Sequence, residues 1–286
     1  MQADAGVDLI KLWVDDLGGR FPMMPPEVYR AAITEAHARG LKVAAHLHDL
    51  AQAEDLVASG LDIIGHGVRD VPVSDTLVAA MARAGTWYVP TVNIDEANYV
   101  YAEHPQWLED PFLRKALPPA VLAQWSDPAW RTRQLQGANI AASRKAVAVN
   151  LANLRTLHAG GIRIGFGTDS GAMPQRVVGF AEHRELELMT QAGFTPAQAL
   201  TTATRDAAML LGLDDRGTIA VGKRADFVVL DADPTADIRN SRRIHAVWQA
   251  GREVAGAMEA STATAAAAPV SDAPVLPPAT ADAVQR

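Results

Sequence analysis

Short apolar runs that stop at a polar residue set the rhythm of the first two thirds of the chain. Val43-Ala44-Ala45 stops at His46, Ile63-Ile64-Gly65 at His66, and the run 164–168 at Asp169. Two further runs, 9–14 (LIKLWV) and 86–91 (TWYVPT), have the same length and character. Runs of four to eight apolar residues bounded by turn residues read as strands buried on both faces. Between them lie segments with helical spacing. Pro25-Pro26-Glu27 opens one that carries Val28, Ala31, Ala32 and Ala36 and stops at Gly40. Residues 49–58 form a second, closed by Gly60, and Ser74 caps a third that ends at Gly85. Helix starts at Ser or Pro and stops at Gly follow from the unpaired backbone groups at helix ends. Strand and helix in alternation predict parallel strands joined by helices.

Residues 93–130 interrupt the alternation with an aromatic- and proline-rich insertion, read as a substrate-side lid or helical excursion. Helices are predicted over 134–159, 182–192 and 196–211, with a fifth strand at 163–168. The pattern then changes. An apolar run at 225–231 and two more, at 244–249 and 253–254, flank Ala250-Gly251-Arg252, a hairpin signal. The fold class expected is α/β: a partial (β/α)8 TIM-type barrel with about five of its eight strands, followed by a small β-sandwich remnant. The expected division is a barrel over 6–212, a β module over 213–255 and a disordered tail over 256–286. That tail is Ala, Pro, Ser, Thr and Val without an aromatic, too little apolar bulk to order itself.

Composition narrows the chemistry. The 286 residues include no cysteine, so thiol nucleophiles, thiolate metal sites and disulfides are excluded. A net charge of −7 and the lack of a basic run argue against nucleic acid as a partner. No apolar stretch approaches the roughly 20 residues that span a bilayer. Compartment stays open, because any export signal would lie upstream of Met1. Association of copies through an unclosed sheet also stays open.

In barrels of parallel strands, chemistry gathers at the carboxyl ends. His46, His66 and Asp169 all stand there. Two imidazoles and a carboxylate on one rim suit a divalent metal of the zinc type; singly, each histidine is as well explained as a packed rim residue. His48, two residues past His46, is a ligand, a substrate contact or a residue that orients its neighbour. Asp169, in the turn Gly167-Thr168-Asp169-Ser170-Gly171, can take a proton from a water and return it to a leaving group, or it simply shapes the turn. The glycine spacing there is not that of a dinucleotide loop. Lys11 places a charge inside an apolar strand. Either it reaches solvent, or it faces a charged site, or it is chemically altered. His37, His104, His158 and His245 are expected in solvent. His183 is left between pocket and surface. Trp87, Tyr88 and Trp107 wall a pocket or fill the core.

The ordered series Ile10-Lys11, Ala45-His46-x-His48, Ile64-Gly65-His66-Gly67, Val89-Pro90-Thr91 and Gly167-Thr168-Asp169-Ser170-Gly171 resembles the metal-dependent amidohydrolase superfamily. So do Gly193-Phe194-Thr195-Pro196 and Gly222-Lys223-x-Ala225-Asp226-Phe227. The nearest branch is the imidazolonepropionase-like one, which includes Xaa-Pro dipeptidase-type enzymes. The resemblance covers residues 6–254. It implies one or two divalent ions, zinc being the expected one, held by Lys11 (carboxylated and bridging in two-metal members), His46, His66 and Asp169. It implies hydrolysis of an amide, lactam or dipeptide carbon–nitrogen bond by metal-activated water, with Asp169 shuttling the proton and His48 assisting the substrate, a small molecule or dipeptide. The family's first strand carries a His-x-His pair, and nothing before Lys11 supplies one. The chain therefore reads as the C-terminal portion of such an enzyme. The competing readings are an inactive remnant, or a lactone or phosphoester hydrolase on the same scaffold.

Overall fold

The computed structural model describes residues 2–255; the tail expected from residue 256 lies outside the described residues. Five strands form one parallel sheet in the order β1-β2-β3-β4-β5. They are β1 (Leu9–Trp13), β2 (Lys42–His46), β3 (Ile63–Ile64), β4 (Trp87–Tyr88) and β5 (Arg163–Ile164). Each lies within one of the five predicted runs. Helices α1 (Pro26–Ala38), α2 (Leu50–Ala58) and α3 (Asp75–Ala84) make the crossovers between the first four strands. Their ends obey the local chemistry. Ser74 accepts the Leu77 amide at 3.0 Å, and Gly85 closes α3 in the left-handed region at φ 70°.

Alternation along the strands separates two apolar layers. Leu12, Val14, Val43, Ala45 and Ile64 pack outward with Tyr29, Ile33, Leu56, Leu77 and Met81 of the helices in the main core. Ala44, Ile63 and Trp87 face the other side and form a second cluster with Leu210. The central strands β2, β3 and β4 are thus buried on both faces, as parallel strands are, while β1 exposes Lys11 and Trp13. The barrel is not closed: among the described residues β1 pairs only with β2, and β5 only with β4.

The insertion is helical: α4 (Asn93–Glu96), α5 (Val100–Glu103), α6 (Pro111–Ala116), α7 (Pro119–Ser126) and α8 (Pro128–Leu135). Asp110 and Asp127 cap α6 and α8 just before a proline, where the missing amide hydrogen costs nothing. Tyr101 stacks on Trp125 at 4.5 Å, and Trp125 on Trp130 at 5.7 Å, which gives the insertion a core of its own. The helix predicted from residue 134 is split. After α8 ends at Leu135, a turn through Gly137 intervenes, and α9 (Ile140–Ala159) starts behind it. Helix α10 (Phe180–Gln191) follows β5. The helix predicted over 196–211 is present but contains a π-type turn, Thr202–Asp206, between α11 (Pro196–Thr201) and α12 (Ala207–Leu210). Strands β6 (Phe227–Leu230), β7 (Ile244–Gln249) and β8 (Arg252–Ala255) form a three-stranded antiparallel sheet, turned at Ala250-Gly251 with positive φ at both residues. Residues 217–223 form an irregular segment of bends with a turn at Val221-Gly222.

Candidate functional site

His46 ends β2 and His66 follows β3, so the parallel register brings them to one rim. Their ring centroids are 4.6 Å apart at 72°. Both are buried. Burial, reinforced by the charges of Lys11, His46, Arg69 and Arg176, drives His66 down to about 2. Burial lowers His46 as well, against the pull of the Asp15 carboxylate. Both imidazoles are therefore neutral, the form in which a ring nitrogen can donate its lone pair. His66 Nδ1 lies 3.0 Å from Thr91 Oγ1, and His46 Nε2 lies 2.8 Å from Asp15 Oδ2. The second ring nitrogen of each histidine has no hydrogen-bond partner among the described residues.

Lys11 pairs in register with Ala44 on the inner face of the sheet. Desolvation lowers its pKa, and Asp169 opposes that shift. Gly65 makes room for it: a Cβ there would stand 3.0 Å from Lys11 Nζ and 3.0 Å from the Ala45 carbonyl oxygen. Lys11 is exposed to solvent and also faces charged groups: its charge acts on His46 and His66, and Asp169 acts on it.

Asp169 follows β5 with φ 56°, a left-handed conformation unusual for a non-glycine residue, and forms an ion pair with Arg176. Thr91, the partner of His66, is also left-handed at φ 42°. Strained backbone of this kind concentrates at functional sites. Glu182 shapes the Asp169 turn by accepting from Ser170 Oγ at 2.6 Å, Thr168 Oγ1 at 3.0 Å and the Gly179 amide at 2.7 Å. Burial opposes its ionisation, and these hydrogen bonds outweigh burial and hold it below its usual range.

His48 stands apart from the two buried rings. It is half-exposed, with Nδ1 2.6 Å from Asp49 Oδ1. Its carbonyl accepts the Arg69 amide at 3.1 Å. Arg69 is itself buried, donating to the Leu47 and Gly67 carbonyls and facing Asp95 at 3.1 Å. Asn150 of α9 donates to the Pro90 carbonyl at 2.9 Å and occupies the space beside Gly67, where a Cβ would meet its Oδ1 at 2.0 Å. His158, expected in solvent, is partly buried, and His183, left between pocket and surface, turns inward. His158 stacks on Phe194 at 3.8 Å. His183 is pushed down to about 4 by burial and by Arg242, and its Nδ1 is 2.9 Å from Ser241 Oγ. Trp87 and Tyr88 are buried core residues.

Sequence reasoning passed over Trp13, Asp15, Arg69, Arg176 and Glu182, and it quoted Thr91 only within a motif, without a role. Trp13 and Asp15 were legible as the continuation of Lys11 at a period of two. Arg69, Arg176 and Glu182 reach the site from loops and a helix, and no local pattern marks them.

The residues present fit a divalent cation in part. Two neutral imidazoles, each with one nitrogen held by the protein and the other open, suit ligation of a zinc-type ion. Among the described residues, however, no group of three or more His, Cys, Asp or Glu is gathered to hold one. Lys11 as a free ammonium repels a cation and would join the set only as a carbamate.

Parallel strands joined by helices, with the candidate side chains at the carboxyl rim, define a (β/α)-barrel-type protein whose barrel is open. The chain belongs to the amidohydrolase family, whose model matches residues 20–254. It is 28% identical over 248 residues to an uncharacterized protein of Mycobacterium bovis, covering 82% of this chain and 53% of that one. It is 36% identical over 104 residues to an imidazolonepropionase of Deinococcus deserti, 35% of this chain and 26% of that one. A Xaa-Pro dipeptidase structure with methionine bound in its active site superposes with a TM-score of 0.65 at 23% identity, covering 89% of this chain and 56% of that one. The chain spans about half the length of the curated relatives that it matches over most of its own length. No helix among the described residues is long and apolar enough to cross a membrane.

Proposed function

We propose that this chain carries part of the active site of a hydrolase that splits a carbon–nitrogen bond in a small molecule or dipeptide with the help of a divalent metal, zinc by preference. The barrel portion is residues 6–212, and residues 213–255 form the accompanying β module. His46 and His66 hold the ion, and Lys11 joins them when carboxylated. The observation that carries the reading is the pair of neutral, buried imidazoles 4.6 Å apart at neighbouring strand ends. When bound, a divalent ion supplies Lewis acidity toward an amide carbonyl and toward water. Asp169, oriented by Arg176, takes the proton of the attacking water and gives it to the departing nitrogen. His48, at the solvent side, meets the substrate carbonyl. The amide, lactam or dipeptide class is supported by membership in the amidohydrolase family and by the imidazolonepropionase and dipeptidase likenesses.

The test is zinc content after dialysis, measured beside turnover on a panel of lactams, N-acyl amino acids and Xaa-Pro dipeptides. The expected result is about one ion per chain, lost when His46 and His66 are both replaced by alanine. Equal metal content in wild type and double variant would sink the reading.

A further inference from the structure

Strand β1 brings more to the rim than Lys11. Lys11, Trp13 and Asp15 share one face, opposite Leu12 and Val14. Trp13 stands across from His46 in the parallel register, and the two rings stack at 3.7 Å and 7°. The Trp13 indole donates to the Asp15 carbonyl oxygen at 3.0 Å. The Asp15 carboxylate is divided between two donors: Oδ2 faces His46 Nε2 at 2.8 Å, and Oδ1 accepts the Leu17 amide at 2.8 Å. Leu17, Gly18 and Gly19 are left-handed in succession, at φ 52°, 71° and 82°. Such a conformation is disfavoured for leucine, and it stands directly behind the amide that Asp15 holds. Asp15 and His46 are both buried. One loop thus grips the imidazole by its face and by one edge.

We propose that Asp15 is a positioning residue that fixes His46 in the Nε2–H tautomer, with Trp13 setting the plane of the ring, so that Nδ1 carries the lone pair available to a divalent cation. The inference rests on the reading of His46 as a ligand. An ionised carboxylate has no proton to donate, so the nitrogen that faces it carries the hydrogen. Nδ1 is then the unprotonated nitrogen, and it has no hydrogen-bond partner among the described residues. A carboxylate behind an imidazole both fixes the tautomer and strengthens the ring as a donor. A residue holding only the fold together would move stability without moving either property.

The experiment reads the His46 tautomer by nitrogen-15 NMR in the metal-free protein, at a pH where the ring is neutral, and then titrates zinc. In the wild type the expected signature is a single Nε2–H tautomer. Asp15→Leu, which keeps size and removes the acceptor, should mix the tautomers and weaken zinc binding about 10–100-fold, with His66 unchanged. Trp13→Phe keeps the stack and should retain the tautomer. A Nδ1–H or mixed ring in the wild type overturns the proposal, and that measurement decides it even if the leucine variant does not fold. A folded Asp15→Leu protein with wild-type zinc affinity overturns it as well. Failure of the wild type to bind zinc strikes the ligand reading of His46 instead, and it is distinguishable because the tautomer is read without metal.

Discussion

Single residues around the rim are constrained by space as much as by charge. Gly67 is the sharpest case, because Asn150 fills the place of its missing Cβ while donating to the Pro90 carbonyl. Gly67→Ala is expected to cost about 1–3 kcal/mol, the usual range for overpacking, read from the denaturant midpoint. Adding Asn150→Ala should make the double variant less unstable than the sum of the two changes, since they share one contact. Asp169 makes a different prediction, tied to the proposed reaction. Asp169→Asn keeps the shape of the turn but cannot accept the water's proton, so turnover should fall by at least the 100-fold typical of a lost acid–base group, with the thermal midpoint nearly unchanged. Turnover near wild type would remove the shuttle role.

At the scale of elements, helix α10 ties the molecule together. Arg184 reaches back to Glu96 of α4 with two hydrogen bonds, at 2.8 and 2.6 Å, in a buried pair. His183, its neighbour, meets Ser241 on the turn that leads into β7 and packs edge-on against Phe112. Glu182 and Arg242 are the charged groups that act on it. Its folded pKa of about 4 lies below the ordinary 6.5. The unfolded chain therefore takes up a proton first, and stability present above pH 6.5 is lost as pH falls toward 4. Urea midpoints at neutral and acid pH should differ less in His183→Gln than in the wild type. An undiminished difference would place the acid sensitivity elsewhere. The elements themselves were largely legible: the helix cap at Ser74, the stop at Gly85 and the five strand runs follow from local chemistry. The break at Gly137 and the π-type turn at Thr202–Asp206 were not, because a helical spacing runs through both.

For the whole molecule the decisive feature is the open sheet. Strands β1 and β5 have no second partner among the described residues, and Trp13, Leu17, Phe21, Met173 and Val178 are exposed in β1 and in the loops that follow the two edge strands. Unpaired edges beside apolar side chains favour association. Sedimentation velocity on residues 1–286 should show mass rising with concentration. A single monomeric species at high concentration would show that the edges are sheltered.

The order of strands and helices and the strand-end positions of His46, His66 and Asp169 were legible in the sequence, because each depends on apolar runs and on chain punctuation within a few residues. The grip of Asp15 and Trp13 on His46, the pairing of Asp169 with Arg176, the neutrality of His66 and the burial of His183 were decided only by the tertiary structure. Those properties depend on which distant side chains share a desolvated space, and burial acts on charge through three-dimensional surroundings that no local pattern encodes.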